Sequence, residues 1–240
     1  MSTIIAIETS TELASAALLH NGQVLAHEAS GAQTHSQTIL PMVQSLLAAA
    51  GIPLSRCDAV AFGAGPGSFT GVRTACGIAQ GLAFGLDLPV VPVVTLLAMA
   101  QACREQAQAR NVLAVLDARM GEVYWAQYAF DDRRGAWETL AEPALALPAD
   151  VKPAGATLAC GNGMTAYMAA FADRPFAAGA LGEILPHAAQ VARLAAASLA
   201  NGGGVAAREA QPIYLRNKVA LTTNERMLAK AEAAGAGAGA

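Results

Sequence analysis

Residues Gly63 to Arg73 read Gly-Ala-Gly-Pro-Gly-Ser-Phe-Thr-Gly-Val-Arg, four glycines and a proline between an apolar stretch and a helix-forming one. Few conformations satisfy such a junction: a strand must stop, the chain must turn where glycine and proline permit it, and a helix must start. Two uses are open. Glycines let backbone N–H groups approach an anion and a helix N-terminus is electropositive, so the loop from Gly65 and Gly67 to Ser68 could hold a phosphate. Alternatively Gly65, Pro66 and Gly67 form a tight turn, Ser68 or Thr70 caps the helix, and Phe69 anchors the loop to a surface. The stretch is not a Walker A loop, which ends in Gly-Lys-Ser/Thr, and it does not fit the GxGxxG dinucleotide pattern.

The flanking elements define a fold class. Ile4 to Ile7 is uniformly apolar, as a buried strand is, and ends in Glu8-Thr9-Ser10. Ala14 to Leu19 and Gln23 to Glu28 are extended around Asn21-Gly22, a strong hairpin signal. Ile39, Leu40, Val43, Leu46, Leu47 and Ala50 share one face of a helix over 36–50, which Gly51 stops. Pro41 either bends that helix or moves its start. A strand over 58–63, a helix over 70–84 and a strand over 90–94 follow. Three antiparallel strands and then alternating helix and strand make a ribonuclease-H-like α/β layer.

Further on, the reading is a helix over 96–108, strands over 112–116 and 123–130 joined at Met120-Gly121, and a polar turn over 131–135. A strand over 157–160 and helices over 164–171 and 186–201 complete it. A soft boundary near residue 108 divides the chain into a first lobe, 1–108, and a shorter second one, 109–220. The tail over 221–240 is low in complexity and is expected to be disordered.

Composition removes several classes. Hydrophobic residues are 54% of the chain, yet no run approaches the about 20 apolar residues of a membrane span, and Met1-Ser2-Thr3 lacks the basic start of a signal peptide. A cytoplasmic protein is expected. Cys57, Cys76, Cys103 and Cys160 form no CxxC pair and sit in apolar contexts, as buried free thiols do. A net charge of -3 argues against autonomous binding to a nucleic-acid backbone.

The strand, the string Gly65-Pro66-Gly67-Ser68-Phe69-Thr70-Gly71 with Arg73, and the helix after it together resemble the signature of the TsaB family, also called YeaZ. Ile4 to Ser10, Thr34-His35-Ser36 with Ile39-Leu40-Pro41, Asp117-Ala118-Arg119 with Glu122-Val123-Tyr124, and Pro212 with Tyr214-Leu215-Arg216 are similar to further stretches of that family, in the same order. The resemblance covers about residues 3–219 and is strongest before residue 100. It implies an actin-like, two-lobed fold of the ASKHA class with an abbreviated second lobe, in a bacterial cytoplasmic protein. It also implies a catalytic partner, TsaD, and a small ATPase, TsaE, that together transfer threonylcarbamoyl from its adenylate to adenosine at position 37 of tRNA.

On that resemblance the chain is a non-catalytic scaffold that pairs through the helices of its first lobe. The surface expected to meet the partner comprises His35, Ile39, Leu40, Val43 and Leu47 of the first helix with Phe69 and Arg73 of the second. Arg73 could equally serve the fold. Ala48, Ala49 and the Ala- and Gly-rich helix over 75–85 permit close helix approach, so the isolated chain is expected to form a homodimer, and tRNA to be reached only through the complex. Glu8, Thr9 and Ser10, with Gly65, Gly67 and Ser68, are read as the remnant of a nucleotide loop. In actin-like ATPases an acidic residue at this strand end organises magnesium and phosphate; here Glu8 stands where the family more usually has Asp, and a capping role is the other reading. No tightly bound cofactor is expected, and a nucleotide at the partner interface stays open as a reading. His35 has no second histidine one turn on, since that position is Ile39, so no metal is expected. Gly161-Asn162-Gly163 is either a second-lobe nucleotide contact or a simple turn. The rival readings are an actin-like phosphotransferase using Glu8 and the loop 65–73, and a peptidase; no HExxH or GxSxG pattern supports the latter.

Overall fold

The computed structural model describes residues 2–30 and 35–216; Thr34 of the motif above and the tail over 221–240 lie outside the described residues. Two sheets organise it. The first is built from β1 (Ile4–Glu8), β2 (Leu13–His20), β3 (Gln23–Ser30), β4 (Ala59–Gly65) and β5 (Val90–Val94), in the order β3-β2-β1-β4-β5. β1 runs antiparallel to β2 and parallel to β4, and β4 is parallel to β5. The two-residue turn at Asn21-Gly22 has both residues at positive φ, 51° and 79°, a conformation these residue types tolerate.

β1 is apolar from Ile4 to Ile7 because both of its faces are covered. Ile5 and Ile7 point into a core closed by α1 (His35–Ala50) and α2 (Phe69–Phe84). Ile4 and Ala6 point the other way, into a core closed by α6 (Ala188–Ala200). On that second side Ala17, Ala59, Ala61, Ala188, Ala192 and Ala195 meet, and small side chains on both surfaces let α6 lie close to the sheet. α6 comes late in the chain and yet packs on the first sheet.

The second sheet has the order β8-β7-β6-β9, from β6 (Asn111–Arg119), β7 (Glu122–Asp131), β8 (Ala136–Ala146) and β9 (Leu158–Cys160). α3 (Thr95–Ala107) sits on one face through Leu96, Met99, Ala100 and Cys103, and also sends Ala98 into the first lobe. The other face is covered by short pieces: α4 (Asn162–Ala166) and α5 (Met168–Phe171) with Val151 and Phe176. The single helix expected over 164–171 is broken at Tyr167, whose φ of -121° is not helical and whose hydroxyl donates to Asp117 Oδ1 at 2.9 Å. β8 has no counterpart among the expected strands, because Pro143 interrupts its pattern. It is an edge strand, and its register with β7 shifts near Pro143, so no ladder bond is required there. This is the two-lobed arrangement that the resemblance implies. All four cysteines are free and buried, and no helix among the described residues is long and apolar enough to cross a membrane.

α1 carries Pro41 inside it and buries Thr38, Ile39, Val43, Leu46 and Leu47, while Leu40 is 42% exposed. The two sides of this helix should respond differently to charge. Val43→Asp puts an unpaired carboxylate into the first-lobe core and is expected to cost about 4 kcal/mol or more, whereas Leu40→Asp should stay within about 0.5 kcal/mol of the parent. Urea denaturation of the two variants checks this; equal losses would mean that the faces are assigned wrongly.

Candidate functional site

β1 ends at Glu8, whose side chain is fully buried. Oε1 accepts from the Ser10 N–H at 2.6 Å and Oε2 accepts from Thr95 Oγ1 at 3.3 Å. Thr95 Oγ1 in turn accepts from the Gly65 N–H at 3.1 Å. One carboxylate thus ties the end of β1, the end of β4 and the start of α3. Burial pushes its pKa above the ordinary 4.5, against the opposing effect of hydrogen bonds from Ser10, Thr95 and Thr9. Gly63 is required opposite it, because a Cβ there would occupy the space of the carboxylate.

The turn after β1 and the glycine-rich loop after β4 are interlocked. Thr9 Oγ1 donates to the Gly71 carbonyl at 2.7 Å, and the Ser68 N–H donates to the Ser10 carbonyl at 2.7 Å. A Cβ on Gly71 would overlap the Thr9 carbonyl, and one on Gly67 would stand 2.5 Å from Ser10 Cβ. Ser68 caps α2, its Oγ accepting from the Gly71 N–H at 3.4 Å. The N–H groups of Gly65, Ser68 and Gly71 are therefore bonded within the chain, and the glycines serve the close approach of two loops. Gly65 belongs to the end of β4 rather than to the loop, with φ 101° and a cis bond to Pro66.

Beside this junction a cavity of about 520 Å³ opens between the lobes. Ser10, Ser68, Phe69 and Val72 line it from the first lobe, and Ala118, Arg119, Met120 and Tyr124 from the β6–β7 hairpin. His35, half-buried at the start of α1, also lines it. The terminal stretch Ile213 to Arg216 forms the remaining wall. Among the described residues no group of three or more His, Cys, Asp or Glu side chains is placed to hold a metal ion.

The residues read as a partner surface divide. Ile39, Val43 and Leu47 face the core of the first lobe, at 0%, 2% and 9% exposure, because α1 needs that stripe against β2. The side of α1 left to solvent carries Leu40, Ala48 and Ala49. Phe69 is 38% exposed, and Arg73 lies over it with the guanidinium carbon 3.5 Å from the ring centroid. Arg73 Nε also donates to the Tyr214 hydroxyl at 2.8 Å. Its partners, the Phe69 ring and the Tyr214 hydroxyl, thus belong to this chain's own fold. Gly161 and Gly163 pack against Val115 and Asn162 Oδ1 accepts from the Asp117 N–H at 2.9 Å, so Gly161 precedes α4 and Asn162 and Gly163 form its packed first turn. Thr95 joins the site without a signal in the sequence, since a threonine after Val94 carries no pattern of its own, whereas Tyr124 belongs to the stretch Glu122-Val123-Tyr124 already singled out.

A family model described as "TsaD: tRNA N6-adenosine threonylcarbamoyltransferase" matches residues 23–223 of the chain. The tRNA threonylcarbamoyladenosine biosynthesis protein TsaB of Escherichia coli (strain K12) is 42% identical over 226 residues, spanning 90% of this chain and 96% of that protein. Its Haemophilus influenzae namesake is 40% identical over 226 residues, spanning 90% and 94%. The solved structure of YeaZ from Pseudomonas aeruginosa superposes with a TM-score of 0.82 at 42% identity, covering 90% of this chain and all of that one. A second structure, of an uncharacterized Pseudomonas aeruginosa protein described as similar to the peptidase YeaZ, gives 0.83 at 43% identity with the same coverage.

The buried carboxyl predicts a pH dependence. Its pKa is higher folded than unfolded, so the folded chain holds the proton longer and this group's contribution to stability falls as pH rises from 4.5 toward the folded value. Glu8→Gln does not ionise and is expected to lack that decline, so the wild type should lose melting temperature relative to the variant as pH rises through the window above 4.5. Parallel curves for the two proteins would show that Glu8 does not titrate in that window.

Proposed function

The chain belongs to the TsaB family of tRNA threonylcarbamoyladenosine biosynthesis proteins, and from that membership we propose that it serves this pathway in the cytoplasm as a non-catalytic subunit that binds and stabilises TsaD. The observation that supports the reading is a pair of glycines on α2. Gly77 and Gly81 are exposed, and a Cβ built on either meets nothing within 4 Å. Each glycine in a helix costs about 0.5–1 kcal/mol relative to alanine. The packing of this chain gives no reason for them, whereas a partner helix crossing closely over α2 does.

Around the two glycines the outer surface of the α1–α2 layer carries Leu40, Ala48 and Ala49, and Phe84 is 80% exposed at the end of α2. An apolar, small-residue surface of this kind suits a helix face of a protein partner better than nucleic acid, in keeping with the net charge of -3. In this reading the same surface pairs two copies when TsaD is absent, TsaE joins the complex rather than this chain alone, tRNA is met through the complex, and any nucleotide is shared at the partner interface. The absence of transfer chemistry in the chain itself is part of the proposal. It is supported by the interlocked loop, whose Gly65, Ser68 and Gly71 N–H groups are already bonded. Against a peptidase, Ser68 Oγ acts as the α2 cap, and among the described residues no acid or histidine is hydrogen-bonded to it.

Two measurements test the reading. Gly77→Leu should leave the stability of the isolated chain unchanged or higher, yet weaken TsaD binding at least about tenfold in titration calorimetry, since the side chain fills the crossing point. Unimpaired binding would move the interface elsewhere. Threonylcarbamoyl transfer to unmodified tRNA by TsaD and TsaE, supplied with the adenylate donor, should require this protein, while the protein alone transfers nothing and hydrolyses no ATP. Transfer at the same rate without it would overturn the proposal.

A further inference from the structure

The stretch Pro212 with Tyr214-Leu215-Arg216 is prominent in the sequence and has no part in the function described so far. It touches both lobes at the cavity mouth. Ile213 packs against the first-lobe core and its N–H donates to the Ala64 carbonyl at the end of β4, at 2.7 Å. Leu215, two residues on, packs against the second-lobe core. Upstream, the Ala210 carbonyl accepts from Gln80 Nε2 at 3.0 Å and from Cys76 Sγ at 3.5 Å, which fixes the segment along α2.

The polar side chains fasten the two ends. Tyr214 takes the hydrogen bond from Arg73 Nε and its ring stands 5.9 Å from Phe69 between centroids, on the first lobe. Arg216, with a side chain only 14% exposed, reaches the hairpin of the second lobe. Its Nη2 donates to Glu122 Oε2 at 2.5 Å and to the Arg119 carbonyl at 3.3 Å, and its Nη1 lies 2.8 Å from Met120 Sδ. Those contacts fall on strained backbone. Arg119 and Met120 have φ of 63° and 57°, which side-chain-bearing residues rarely adopt, and strained turns persist where surrounding contacts over-determine them. Asp117 contributes too, accepting from the Arg119 N–H at 2.8 Å and pairing with its guanidinium at 3.3 Å.

We propose that Ile213–Arg216 is an interlobe clasp, fastened by Arg73–Tyr214 on one lobe and by Arg216 on the β6–β7 hairpin of the other, and that activation of the partner depends on its being closed. Tyr214 and Arg216 are positioning residues in this scheme: they hold Phe69, the start of α2 and the hairpin in fixed relation across the cavity. The second half of the proposal rests on the scaffold reading above; the first does not.

Hydrogen exchange with mass spectrometry on the isolated full-length protein tests the clasp. In Arg216→Ala, peptides covering 66–73 and 118–124 should exchange about tenfold faster, while peptides from β1 and β4 stay protected. Tyr214→Phe keeps the ring and loses the hydrogen bond, so a smaller rise, about threefold, is expected over 66–73. Arg208→Ala, which removes an exposed pair with Glu209 in the same terminal stretch, should change neither peptide. Unchanged exchange in both clasp variants overturns the clasp, and if Arg216→Ala does not fold, Tyr214→Phe decides.

Coupling is read from transfer at saturating amounts of this protein. Arg216→Ala should lower the supported rate at least about threefold, and Arg216→Lys, which keeps the charge opposite Glu122, should recover part of it. Faster exchange with an unaltered transfer rate overturns the coupling and keeps the clasp. Transfer that never depended on the wild-type protein overturns the scaffold reading, and with it the coupling, while the clasp still stands or falls by the exchange rates alone.

Discussion

The arrangement depends on one buried carboxylate. Glu8 accepts from the Ser10 N–H and from Thr95, and Thr95 accepts from Gly65, so three segments far apart in sequence are fixed by a single group. A buried carboxyl without such partners would be strongly unfavourable, and removing any one of the donors leaves the others around an undersatisfied acid. The interlocking of the Thr9-Ser10 turn with the loop at Gly67 to Gly71 follows from that fixation: once β1 and β4 end together, only glycine fits where the two loops cross. The direction of α2 is then set, because its cap residue Ser68 is bonded to the Ser10 carbonyl.

The two faces of the first sheet are treated differently, and this decides which surface stays free. On the α6 side, alanines allow a helix to lie flat, and that helix is contributed by the late part of the chain. On the other side, large residues such as Ile39, Leu46 and Phe62 fill the space beneath α1 and α2. The terminal stretch at Ala210 lies along one side of α2, while a Cβ on Gly77 or Gly81 would meet no described atom within 4 Å on the outer surface of that two-helix layer. That surface holds Gly77, Gly81 and Phe84, a composition that fits neither a solvated face nor a core.

Much of the first lobe is legible in the sequence, because its signals are local. Asn21-Gly22 fixes the hairpin, the apolar period of α1 fixes its inner face, and the glycine-rich string marks the strand-to-helix junction. The second lobe is less legible. Its edge strand β8 contains Pro143, and its helices are too short to show a period, so propensity and pattern give no clear sign of either. The candidate site is legible in its residues but not in their roles. Glu8 and Gly67 are read in the sequence as part of a nucleotide-loop remnant; in the fold Glu8 accepts from Ser10 and Thr95, and Gly67 closely approaches Ser10. The helical period that marks Ile39, Val43 and Leu47 cannot tell whether the stripe faces the chain's own sheet or another protein. Thr95 and the Arg73–Tyr214 bond join residues 87 and 141 positions from their partners, a separation that no local pattern reports.

A loop that would cradle phosphate must leave its N–H groups free and tolerate movement as ligand comes and goes. Here the N–H groups of Gly65, Ser68 and Gly71 are bonded within the chain. What the chain gains is a rigid junction from which α2 projects, with Phe69 and Arg73 at its base held by Tyr214 and its glycines outward. Rigidity of this kind lowers the entropy lost when a partner docks, which raises affinity without any new contact. A chain built so is suited to present a surface, and that is the physical content of the scaffold proposal.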